Sequence, residues 1–85
     1  IGKGIEEQAE MAWRNLTAVL EAAGMGVTDI VKVTTFLTRA ADIAAYRTVR
    51  DRFQAGHRPA STLLVISGLA NPEWLVEVEA VAGKV

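Results

Sequence analysis

Between Ile5 and Ala23 apolar side chains return at Ile5, Ala9, Ala12, Leu16, Val19, Leu20 and Ala23, while Glu6, Glu7, Glu10, Arg14 and Glu21 stay largely off that stripe. Steps of three and four residues mark one face of a helix, and this run predicts an amphipathic helix of about five turns. Glu6 and Glu7 suit its positive N-terminal end, and Gly24 is placed to stop it in a left-handed conformation. Gly26 and "TD" make the next connection. The period then changes. "IVKVTTFL", Ile30 to Leu37, is rich in β-branched residues and predicts a strand buried on one face and partly on the other, with Lys32 and Thr34 sharing a face with Ile30 and Phe36. After "TRAA", Asp42 is a candidate N-cap, and Ile43, Tyr46, Val49 and Phe53 mark the inner stripe of a second helix ending near Ala55 and Gly56. Two further strands are expected, from about Ser61 to Ser67 and from Glu73 to Ala82. Between them the Gly and Pro of "GLANP" forbid continuous pairing.

The expected order is helix, strand, helix, strand, strand: one α/β (α+β) domain over residues 1–85. Two helices on three strands cover one face of a sheet and leave an edge open, so further strands or a partner are expected to complete it. Composition points the same way. A hydrophobic content of 51% in 85 residues is high for a globule with little interior, which places part of that surface against another subunit. The absence of cysteine excludes disulfides and thiolate metal sites and fits a reducing, cytoplasmic setting. A formal net charge of -1 gives no global field for nucleic acid. No apolar stretch is long enough to span a membrane, and no signal-peptide pattern opens the chain.

The run from "EEQAEMAWRNL" through "LEAAG", "DIVKVTTFL", "HRPAS" and "LVEVEAVA" resembles the reactive-intermediate deaminases, the YjgF-like or RidA-like group that also carries the name endoribonuclease L-PSP. These motifs stand in the family's order and spacing along nearly the whole chain. The resemblance implies a chorismate-mutase-like fold, a sheet backed by two helices, three copies of which pack with their sheets inward as a homotrimeric barrel. It also implies an N-terminal β-hairpin ahead of the first helix, a segment this sequence is expected to lack. The activity implied is hydrolysis of reactive enamines or imines, of the 2-aminoacrylate type, to a 2-keto acid and ammonia, with neither metal nor organic cofactor.

The resemblance also names candidate residues. Active relatives open the strand that follows the second helix with Pro-Ala-Arg-Ser, whose arginine grips the substrate carboxylate through a bidentate fork. Here Ser61 stands in that place, and a hydroxyl carries no charge. Backbone N–H groups near Thr62 and Leu63 are the expected remaining carboxylate donors. Arg47 falls where the family commonly has an asparagine near the pocket, although an Arg47 to Asp51 pair on a solvated helix face is the simpler reading. Glu77 matches the glutamate that orients the hydrolytic water. Glu77 and Glu79 lie two apart, so both leave the same face of the strand while Trp74, Val76, Val78 and Ala80 take the other; both can instead meet Lys32 and Thr34 across the sheet. His57 has no second histidine or triad spacing beside it and reads as a turn residue. A non-catalytic small-molecule-binding or scaffold oligomer is the main rival to the enzyme. Ribonuclease or translation-inhibitor activity finds no basic stripe or aromatic platform to rest on.

Overall fold

A computed structural model of the chain describes residues 4–84. Helix α1 spans Ile5–Ala22, strand β1 Ile30–Leu37, helix α2 Ile43–Gln54, β2 Ala60–Val65 and β3 Val76–Ala82, with single 3₁₀ turns at Val27–Asp29 and Ala40–Asp42. The sheet order is β2-β1-β3, with β2 parallel to the central strand and β3 antiparallel to it. Both helices lie on one face of this sheet, and the core between the layers is built from Ala9, Trp13, Leu20, Ile30, Val33, Leu37, Tyr46 and Val49.

The buried stripe of α1 is turned from the one expected. Trp13 is fully buried between Ala9 and Leu20, whereas Val19 is 67% exposed. At 100° per residue Val19 falls about 120° from Trp13, so the large indole, once inward, carries Val19 out to solvent. Gly24 ends the helix at φ +75° as expected. A register shift between Ile30 and Lys32 in the β1–β3 pairing corrects a second expectation. The extra residue puts Ile30 on the helix side, 1% exposed, and leaves Lys32, Thr34 and Phe36 on the open face without it. Asp42 does not cap α2 through its side chain. Its carboxylate instead accepts from Arg39 Nε at 2.8 Å, because a 3₁₀ turn already leads into the helix. Strand β3 starts later than expected, at Val76, and Trp74 lies outside it, in a turn closed by its N–H on the Asn71 carbonyl.

Three polar side chains meet inside the core. The Tyr46 hydroxyl lies 2.6 Å from Thr35 Oγ1 and accepts from Trp13 Nε1 at 3.3 Å, tying both helices to the central strand. Burial pushes the Tyr46 phenol above its ordinary value of 10.0, against the opposing pull of its hydrogen bonds to Thr35 and Trp13. A raised folded-state value means the folded chain holds this proton more tightly than the unfolded chain does. The stabilisation is complete below the ordinary phenolic value and is lost as pH rises from there through the raised one. Denaturant melts should show an alkaline loss of stability that opens near pH 10, and Tyr46→Phe should flatten it. An unchanged alkaline limb in that variant would assign the loss to other groups.

Candidate functional site

Strand alternation sorts the candidate residues onto two faces. Opposite Lys32, Thr34 and Phe36 stand Ala60, Thr62 and Leu64 on one side and Val81, Glu79 and Glu77 on the other, so these residues share the open face. Ser61 and Leu63 pair with Val33 and Thr35 and so turn to the helix side. Leu63 packs its side chain against the core, whereas Ser61, at the start of the strand, is exposed.

The backbone of β2 offers more than its side chains do. The Ile66 N–H donates to the Leu37 carbonyl at 2.8 Å. N–H groups alternate along an extended strand, so those of Leu64 and Thr62 also turn toward β1, and those of Ser61 and Leu63 point outward from the sheet edge. Of the two donors expected near Thr62 and Leu63, the Leu63 N–H is therefore available to a ligand at that edge, joined by the Ser61 N–H. The Thr62 N–H serves the sheet.

The two carboxylates differ in surroundings although they share a face. Glu79 stands opposite Thr34, and a shallow hollow of about 270 Å³ is lined by Lys32, Thr34, Glu79, Ala80 and Val81. Glu77 lies outside that hollow, opposite Phe36, on the rung next to the start of β3. Both are exposed. Within one chain Glu77 and Ser61 do not meet. They sit on the two outer strands, three rungs apart along β1 and on opposite faces, which separates their Cα atoms by roughly 14 Å at ordinary strand spacings.

Arg47 is exposed on α2, in the helix layer and therefore on the side of the sheet away from Glu77. The expected Arg47 to Asp51 pair does not form. Asp51 accepts instead from Arg50, at 3.0 Å from Nε and 2.9 Å from Nη2. His57 holds the turn after α2: its ring Nε2 lies 2.8 Å from the Ile30 carbonyl, and its backbone N–H donates to Gln54. Gln8, which sequence reasoning passed over, is buried on the sheet side of α1 and bonds the backbone at both Glu73 and Leu75. A glutamine one position from the apolar stripe gives no sign of a partner so distant in sequence. Among the described residues, no three His, Cys, Asp or Glu side chains converge to hold a metal ion. No described helix is long and apolar enough to cross a membrane.

A family model described as Endoribonuclease L-PSP matches residues 1–84. The chain is 34% identical over 80 residues to a RutC family protein of Pyrococcus horikoshii, covering 94% of this chain and 63% of that protein. Among solved structures it is similar to Escherichia coli TdcF with bound serine, with a TM-score of 0.94 at 30% identity over 100% of this chain and 68% of that one. RidA from an Antarctic Psychrobacter gives a TM-score of 0.89 at 30% identity, over 94% of this chain and 64% of that one. The chain spans less than two thirds of the length of the first curated relatives it matches, 63% and 62%.

Proposed function

Because this chain belongs to the endoribonuclease L-PSP family, we propose that it binds small 2-imino or 2-amino acids between copies of itself and hydrolyses reactive imines weakly. The observation that carries this reading is the separation of Ser61 from Glu77 on opposite edges and faces of the sheet. A small ligand that touches both must lie between two copies. The open face carrying Phe36, Leu64 and Val81 supplies apolar surface for that association, in a homotrimer in this reading. The bound serine of TdcF is the kind of ligand meant. A cytoplasmic setting belongs to the same proposal.

In the reaction an enamine first tautomerises to the imine. Water then adds to C2, with Glu77 taking one water proton and passing it to the imine nitrogen; from the resulting carbinolamine Glu77 takes the hydroxyl proton and passes it to the amino group as the C–N bond breaks and the C=O bond forms, leaving a 2-keto acid and ammonia. The substrate carboxylate rests on the outward N–H groups of Ser61 and Leu63 and on the Ser61 hydroxyl. Arg47, which forms no ion pair among the described residues, is the replacement charge that the family pattern suggests. Weak turnover follows from the neutral hydroxyl at Ser61, because a charge-assisted bidentate clamp is roughly twice as strong as neutral bonds.

Ser61→Arg should therefore raise ammonia release from freshly generated 2-aminoacrylate by about tenfold or more, the worth of one added charged hydrogen bond. Sedimentation of the same sample should show a multimer. Equal rates in the wild type and the variant would overturn the role of this position. A second reading, a non-catalytic ligand-binding oligomer, is favoured by the uncharged Ser61. It predicts amino-acid binding by calorimetry with no ammonia release from either protein. Ribonuclease activity is not part of this proposal, since the net charge is -1 and Arg14, Arg50 and Arg52 each engage a carboxylate.

A further inference from the structure

Gln8 makes a two-point grip on backbone far away in sequence. Its Nε2 donates to the Glu73 carbonyl at 3.0 Å, and its Oε1 accepts from the Leu75 N–H at 2.8 Å. One side-chain amide thus pairs with the main chain much as a neighbouring strand would, using both a donor and an acceptor. The Leu75 carbonyl accepts in turn from the Thr38 N–H at 3.1 Å, so Leu75 is held to α1 through one backbone group and to the end of β1 through the other. The first rung of the β1–β3 ladder is Leu37 with Val76, and Glu77 stands on the next. Ladder ends open most readily, and the residues there lose position first. Gln8 ties down the chain at the point where that opening would begin.

We propose that Gln8 is a positioning residue that sets the place of Glu77 by clamping the Glu73–Leu75 backbone against α1. The inference rests on the reading of Glu77 as the water-orienting carboxylate. Gln8→Leu keeps a side chain of similar length but removes both bonds. Amide exchange at Leu75 should accelerate at least tenfold while the Glu79 amide, which turns toward β1 deeper in the ladder, stays protected, and imine hydrolysis should fall by about tenfold or more, because small displacements of a reacting group are costly in rate. Gln8→Glu provides the sharper readout. Its carboxylate still accepts from Leu75 but repels the Glu73 carbonyl, and burial beside that carbonyl raises its pKa. Once protonated it donates as glutamine does. The activity of Gln8→Glu relative to wild type should accordingly rise as pH falls into the carboxyl range, whereas Gln8→Leu should show no such recovery. If wild type and Glu77→Gln release ammonia equally, the catalytic reading fails and this inference with it. If Glu77→Gln is inactive while a folded Gln8→Leu matches wild type in rate and Leu75 exchange, this inference alone is overturned.

Discussion

Trp13→Ala should cost the chain a large part of its total stability. The indole is fully buried, its ring stacks on Phe53 at 6.2 Å between centroids, and its Nε1 donates to Tyr46. Truncating a buried tryptophan to alanine costs about 3–5 kcal/mol through lost transfer energy and the cavity left behind. At about 0.05–0.15 kcal/mol per residue, a domain of this length has roughly 4–13 kcal/mol in all. The loss is then a large part of the total, and the melting temperature should fall by more than about 12 °C where a cooperative transition survives. Trp13→Phe keeps most of the ring and gives up the bond to Tyr46, so it should cost about 1–2 kcal/mol. Circular dichroism melts at one fixed protein concentration separate these outcomes, since association would otherwise shift the midpoint. A Trp13→Ala variant that melts within a few degrees of wild type would mean that the α1–α2 contact is dispensable.

Glu77→Gln should lower imine hydrolysis by about a hundredfold or more, in the range lost when a positioned general base is removed, while Glu79→Gln should change it by less than about twofold. The two residues share a face of β3, so burial and strand geometry do not distinguish them. Their neighbours do. Glu79 shares its hollow with Lys32 and Thr34, a setting in which a carboxylate serves cross-strand pairing, whereas Glu77 faces Phe36 at the end of the ladder. Glutamine preserves size and hydrogen-bonding capacity in both places, so the comparison isolates charge. Thermal melts should show both variants folded, and equal losses of activity from the two would refute the assignment.

Much of this architecture is legible along the chain because it follows local periodicity. The run IVKVTTFL predicts β1 with the bounds it has, and Gly24 marks the end of α1 because only an unhindered residue takes that φ readily. The departures occur where a single tertiary contact outweighs the pattern. Trp13 turns α1 because its indole has a partner in Tyr46, which no count of apolar positions on one helix can reveal. Ile30 changes face because one extra residue in β1 goes unpaired against β3, and a bulge of that kind depends on the partner strand. The candidate site divides along the same line. Glu77 and Ser61 are identifiable by motif, but their separation is a property of strand order, and Gln8 carries no local mark of the backbone it holds.

The central place of β1 also governs how the chain assembles in time. β1, α2 and β2 are consecutive, so their parallel pairing closes through one short crossover, and α1 is already made when they form. β3 is synthesised after every element it touches, and its contacts close the longest loops, with Gln8 reaching its Glu73 partner across 65 residues. Long-range closures of this kind are slow to form. Throughout that interval β1 presents the edge destined for β3 with its N–H and C=O groups unpaired, a template for any other extended chain. The docking of β3 therefore does more than complete the core: it covers the edge of β1 that another extended chain could otherwise pair with.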